Sequence, residues 1–270
     1  MRIPTIVFAL LVIAIAPDPA RGEVASHRAL YELDTNGEST GGLEITGAVQ
    51  TSLALGCGYI RQEFGMMVSA AVDGQWNLAR DVYLNYVIQE SSDHRRGSGH
   101  FSVVYEAAAD NTSVLPEPIA FDFTYERMED GALLVEHYTD DEPFPKRQRA
   151  DVLTPIAAYL EELDRVRNGS GEWAIRYFDP MSMSLLTRRF SPPQPQPLPR
   201  GVEDPDGILD GQKHWEYMVE EIFTNLGSVP ARYGLSGNGV MTLMSFDAFG
   251  LGALQFRLTR VEDAPFPGCG

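Results

Sequence analysis

Three observations predict an all-β protein with one main α-helix. Apolar and polar residues alternate with a period of two over many short stretches, turn-forming dipeptides fall between them, and a single segment carries the start, stripe and stop of a helix. Alternation is clearest where Phe121, Phe123 and Tyr125 interleave with Asp122, Thr124 and Glu126, and where Leu254, Phe256 and Leu258 interleave with Gln255, Arg257 and Thr259. Successive side chains of a strand point to opposite faces, so such segments bury one face and wet the other. Val82, Leu84, Tyr86 and Ile88 repeat the pattern, and further strands are expected near 28–34, 43–50, 59–72, 100–107, 132–139, 172–178, 183–190, 214–224, 229–235 and 240–248.

Between these runs stand Asn36-Gly37, Asp73-Gly74, Asp130-Gly131 and Asn238-Gly239. Glycine and asparagine accept the positive φ of tight hairpin turns, so neighbouring strands are expected to pair antiparallel. Long crossover helices are missing, which argues against a doubly wound α/β fold.

The helix is expected after Thr154, which can cap its first turn, with Pro155 at the first helical position. Ile156, Tyr159, Leu160, Leu163 and Val166 form its apolar stripe, and Asn168-Gly169 ends it. A helix with one apolar stripe covers a face of the sheet.

Three segments read as loops. Residues 191–207, SPPQPQPLPRGVEDPDG, hold six prolines, which cannot donate to the ladder of a central strand. The segments 91–100 and 140–149 are rich in charge and turn residues and are expected to be solvated. Strands continue with the same rhythm beyond 191–207, so one domain over 23–270 is expected, with the proline-rich stretch as an excursion from it.

Residues 1–22 read as a secretory signal peptide: Arg2, an apolar run from Ile3 to Ala16, and Ala20-Arg21-Gly22 before a cut at Glu23. The apolar run is short of the roughly 20 residues that span a bilayer. No second stretch is long and apolar enough, so a soluble exported protein, not a membrane-spanning one, is expected. Export changes the reading of the two cysteines, because thiols oxidise outside the cytoplasm. Cys57 and Cys269 are then each other's only candidate partner, and a loop of about 210 residues closed in this way gains about 5 kcal/mol in the chain-entropy model.

The formal charge is −17, and loss of residues 1–22 would make it one unit more negative. Such a surface repels phosphate backbones, so nucleic acid is not an expected ligand. His94 and His100, with Asp93, are the best metal or acid–base candidates, yet their spacing matches no ligand motif and Arg95 and Arg96 would repel a cation. His27, His137 and His214 sit singly in strand-like segments and read as packed or surface rings. Gly234-Leu235-Ser236-Gly237-Asn238 has Asn where a nucleophile elbow needs glycine, and it leads into a strand. Gly56-Cys57-Gly58 and Gly250-Leu251-Gly252 lack the later glycine and the helix of a phosphate loop. Asp140-Asp141 and Glu220-Glu221 are neighbours in sequence, and in a strand adjacent side chains face opposite sides, so neither pair is well disposed to share one substrate. No catalytic residue, metal site or cofactor is nominated.

The order of these parts resembles a known family. "ASHRALYELDT" follows the leader, with His27-Arg28-Ala29 and Tyr31 its most specific element. Cys57 lies in an early strand, "VLTPIAAYLEEL" forms the capped helix, and "ALQFRLTRVE" leads to the terminal "PGCG". This is similar to the EipB-like periplasmic cell envelope integrity proteins, formerly a family of unknown function. The chain reads Leu153-Thr154-Pro155-Ile156 where that family usually carries Phe-Pro-Thr. The resemblance implies a large antiparallel sheet wound as a β-spiral or half-open barrel, with a disulfide corresponding to Cys57–Cys269. It implies no catalysis, a periplasmic location, a role in envelope integrity through protein–protein interaction, and a helical-repeat partner. Its alternative is a lipid or lipoprotein carrier with an open-barrel cavity.

Overall fold

The alternating segments assemble into a single continuous antiparallel sheet with one helix. The computed structural model describes residues 24–33, 43–72, 75–107, 117–139, 142–148, 151–223, 227–247 and 253–266. In chain order the strands are β1 (His27–Leu33), β2 (Leu43–Gly56), β3 (Tyr59–Val72), β4 (Gln75–Ser91), β5 (Arg96–Ala107), β6 (Ile119–Arg127), β7 (Leu133–Thr139) and β8 (Glu142–Gln148). The helix α1 (Pro155–Arg167) follows, then β9 (Trp173–Asp179), β10 (Ser184–Phe190), β11 (Gln194–Pro195), β12 (His214–Phe223), β13 (Gly227–Ser236), β14 (Met241–Asp247) and β15 (Ala253–Glu262).

Spatial order is β8-β7-β6-β5-β4-β3-β2-β1-β15-β14-β13-β12-β10-β9, with β11 paired to β12 off this path. The first and last strands therefore meet in mid-sheet, where Ala29 opposes Val261 and Tyr31 opposes Leu258. Two meanders run outward from that junction, and α1 connects their far ends.

Those far ends, β8 and β9, are not hydrogen-bonded to one another among the described residues. β9 instead meets the segment after β8 through one short bridge, and packs by side chains against β6 and β7. Leu153 donates its N–H to the Arg176 carbonyl at 2.9 Å and accepts from the Phe178 N–H at 3.0 Å. Phe178 then packs its ring against Phe123 at 6.0 Å and Tyr125 at 6.2 Å. Val152, Ile156, Leu133 and Val135 are buried in the same cluster. Long strands twist and coil, and the 17 residues of β4 with the 14 of β2 and β3 carry the sheet round to this contact. The result is a half-open barrel.

Close approach across the strands depends on two glycines in β5. A Cβ on Gly99 would stand 2.4 Å from the Phe123 ring and 2.5 Å from the Val87 carbonyl oxygen, and one on Gly97 would stand 2.3 Å from the Tyr125 ring. Both aromatic rings lie over β5 because these positions have no side chain.

Helix α1 starts and stops where the sequence expects. Thr154 is its N-cap, accepting from the Ala157 amide, and Pro155 begins its first turn. The Asn168 amide donates to the Asp164 carbonyl, and Gly169 takes φ +62. Ile156, Leu163 and Val166 are buried as predicted, and so is Glu162, which the stripe did not include.

Other elements differ from expectation. Residues 142–148 form a strand paired to β7, not a solvated loop, because prolines tolerate an edge position where no second neighbour needs their missing N–H. The expected 91–100 loop shrinks to 92–95, and His100 belongs to β5. Residues 191–207 are a loop apart from the two-residue β11. Cys57 and Gly58, at φ 57 and 77, make the tight turn between β2 and β3. Residues 1–22, Asn36-Gly37, Asp73-Gly74 and Cys269 lie outside the described residues.

Candidate ligand-binding cavity

Curling the sheet leaves a cavity of about 490 Å³ between its inward face and α1. One wall carries Val49 and Leu53 of β2, Phe64 and Met66 of β3, and Tyr86 and Ile88 of β4; Met244, Phe246 and Phe256 line it from β14 and β15. Pro155, Ala158 and Tyr159 of α1 cover it. These positions follow strand parity: alternate residues of each strand point inward, and most of them are apolar.

The opposite wall breaks that rule. Leu186 and Phe190 of β10 face inward, and the residue of the same parity between them is Arg188. Tyr217, Val219 and Phe223 of β12 likewise place Glu221 inward, directly opposite Arg188 in the register. Arg188 donates to Glu221 through Nε at 2.9 Å, with Nη2 paired to the same oxygen at 2.8 Å, and through Nη1 to Glu162 of α1 at 3.4 Å. Its guanidinium stacks between the rings of Tyr177 at 5.2 Å and Tyr233 at 5.5 Å. The outward neighbours pair separately, Arg189 with Glu220, so Glu220 and Glu221 do face apart.

Burial by itself disfavours the Arg188 charge, but Tyr177, Glu221, Tyr233 and Glu162 around it outweigh that loss and hold the guanidinium protonated. Burial pushes the carboxyls of Glu162 and Asp179 above their ordinary range, against the pull of Arg188. Asp179 lines the cavity and accepts from the Ser182 amide at 3.0 Å and the Ser182 hydroxyl at 2.5 Å. The polar wall thus sets one cation against three carboxyl groups.

Five tyrosines line the cavity, and they differ in what their hydroxyls do. Tyr31 donates to the Met241 carbonyl at 2.8 Å, Tyr159 to the Gly239 carbonyl, and Tyr233 to Glu221 at 2.8 Å. The Tyr86 and Tyr177 hydroxyls have no hydrogen-bond partner among the described residues. Tyr177 is only 7% exposed. Tyr86 comes from a strand far from β9 in the sheet, yet Asp179 and Arg188 are close enough for their charges to act on it in opposite senses. Burial raises both hydroxyls well above the ordinary phenol range, so they stay protonated and able to donate.

The histidines singled out in the sequence are not brought together. His94, in the 92–95 turn, donates through Nδ1 to Glu90 at 2.5 Å, whereas His100 meets the exposed Asp122 of β6 at 2.8 Å. Glu90 is fully buried and also accepts from Tyr125 at 2.6 Å and Thr154 at 2.6 Å, a structural knot between the β4–β5 hairpin and the helix cap. His27 and His214 are buried rings, and His137 is half-buried. Ser236 is buried too, its hydroxyl held by Asn238 and Val240 in the turn after β13. Among the described residues no group of three His, Cys, Asp or Glu side chains is placed to hold a metal ion. Motif and spacing nominate none of the cavity's polar residues. A charge at inward parity on two consecutive strands, Arg188 and Glu221, is the signal that could have found them.

The half-open antiparallel barrel is a fold shared with a solved protein. A β-barrel-like protein of the domain of unknown function DUF1849 from Brucella abortus is similar to this chain with a TM-score of 0.69 over 90% of this chain and 99% of that one, at 15% sequence identity. No family model matches the chain, and no curated protein matches it.

Proposed function

We propose that this chain is a non-enzymatic protein of the periplasm, exported by residues 1–22 and allied to the EipB-like envelope integrity proteins, whose half-open barrel carries an apolar chain such as that of a lipid or lipoprotein. The observation that carries this reading is the cavity of about 490 Å³, mostly apolar and with a few convergent polar groups. Ligand sites commonly have that size and that lining. The fold likeness to the DUF1849 protein supports the alliance at the level of architecture.

Native mass spectrometry of the chain purified from its envelope fraction tests the reading. A lipid-sized adduct is expected, and Met66→Trp, which fills the cavity from β3, should lose it while keeping the melting temperature. Bare protein, together with no uptake of a fluorescent acyl probe, would refute it.

A second reading, docking of another envelope protein such as a helical-repeat one, is favoured by the outer surface. An open groove on the outer face exposes Met218 and Pro230, with Met218 49% exposed. Crosslinked pull-down with wild type and Met218→Glu should recover a partner that the variant loses; recovery of none, or of the same partner with both, would count against it.

We also place a disulfide between Cys57 and Cys269. Its support is that no free cysteine occurs among the described residues and that β1 and β15 already pair the two ends of the chain.

A further inference from the structure

The cavity's polar wall specifies a head group, and this inference rests on the cavity being a ligand site. Among the described residues Arg188 is the one arginine or lysine in the cavity lining, and Glu221 and Glu162 already engage its donors. Asp179 adds a further carboxyl to the same wall. An incoming carboxylate or phosphate would find no uncommitted positive charge there and would sit beside at least one carboxylate. In a buried site such a like-charge contact is poorly screened.

The uncommitted groups are of the opposite kind. Tyr177 is buried and offers a protonated hydroxyl with no partner among the described residues, and Tyr86 offers another across the cavity. Both can donate to an acceptor on a ligand. Glu221 uses one oxygen, Oε1, for Arg188 and Tyr233, which leaves Oε2 able to accept from a ligand donor. A purely apolar occupant would seal these cavity-facing donors from water without a partner, which is costly, so an occupant that satisfies them is favoured.

We propose that the site selects a single-chain amphiphile whose head group is uncharged and carries both a hydrogen-bond donor and an acceptor, a hydroxyl or amide head rather than a carboxylate or phosphate. The apolar tail lies along Phe64, Met66, Ile88 and Phe256, and the head meets Tyr86, Tyr177 and Glu221.

The test is displacement of a fluorescent acyl probe from the purified full chain by glycerol monododecanoate, dodecanoate and dodecyl phosphate, which share one tail. The neutral glyceride should displace the probe at least about tenfold more tightly than either anion, a difference equal to about 1.4 kcal/mol. Tyr177→Phe, whose lost hydroxyl holds no described residue, should fold normally and lose several-fold in glyceride affinity while leaving dodecanoate unchanged. Glu221→Gln should narrow the gap by improving the anions. Equal or tighter binding of dodecanoate by wild type, or a Tyr177→Phe protein with unaltered preference, would overturn the head-group assignment and leave the carrier reading standing. Failure of the probe and of every dodecyl compound to bind would overturn both.

Discussion

The Thr154 hydroxyl donates to the buried carboxylate of Glu90 at 2.6 Å while its oxygen accepts from the Ala157 amide at 3.4 Å, so one side chain both caps α1 and ties it to the β4–β5 hairpin. The same carboxylate holds Tyr125 and His94. A helix cap is ordinarily a local device; here it shares its oxygen with the seam that brings the sheet's two ends together.

Glu90→Ala is therefore expected to cost about 3 kcal/mol or more, because three donors lose their acceptor and two of them are buried. Thr154→Ala should cost about 1–2 kcal/mol, the ordinary worth of a cap, and Thr154→Ser should recover most of it. Urea denaturation midpoints of the three variants check this ranking.

Gly99→Ala should destabilise the chain by about 1–3 kcal/mol through overpacking against Phe123 and the Val87 carbonyl. Gly58→Ala, with nothing near its added methyl but a φ of +77, should cost about 1 kcal/mol from backbone strain alone. A pair of thermal melts distinguishes the two causes: in a Phe123→Leu background the added cost of Gly99→Ala should shrink to the share owed to the Val87 carbonyl, while that of Gly58→Ala stays unchanged.

Burial lowers the proton affinity of His27 and His214 below that of a free imidazole, despite backbone hydrogen bonds to Ala25 and Pro197 that oppose it. The unfolded chain takes up a proton on each near the ordinary value of 6.5, and the folded chain does so only at lower pH. Below that value the unfolded state binds more protons, so stability falls as the solution is acidified. His214→Gln should flatten this loss in denaturation curves taken between about pH 7.5 and 6. Glu162 and Asp179, raised by burial, act in the opposite sense: the folded chain binds their protons first, which adds stability as pH drops through their folded values.

If the proposed disulfide forms, Cys57→Ser in oxidised protein is expected to lower stability by up to about 5 kcal/mol, with no change in cavity occupancy at temperatures where the fold persists. Melts of oxidised wild type and the variant that coincide would dismiss the proposed bridge.

Much of this architecture could be read in the chain before folding. Thr154, Pro155 and Asn168-Gly169 mark both ends of α1 by local chemistry alone, and the alternation in Phe121–Glu126 and Leu254–Thr259 marks β6 and β15. What escaped depends on neighbours that sequence does not reveal. Glu162 lies one turn from both Ala158 and Val166, so helical spacing allows it the buried face, but only Arg188 and Tyr217 on distant strands make that burial tolerable. Glu90 continues the inward parity of Tyr86 and Ile88 and is tolerated there because Thr154 and Tyr125 meet it. The β8 strand escaped because Pro143 and Pro145 speak against pairing, and an edge needs pairing on one side alone.

Those two prolines have a bearing on solubility. A sheet that stops without closing exposes a row of backbone groups at each rim, and such rims recruit strands from other molecules into fibrils. At the β8 rim the imino acids at 143 and 145 remove donors that a foreign strand would need. At the β9 rim, Leu153 already occupies the groups of Arg176 and Phe178. The fold thus stays unclosed, with room for an occupant, while both rims resist indefinite lateral growth.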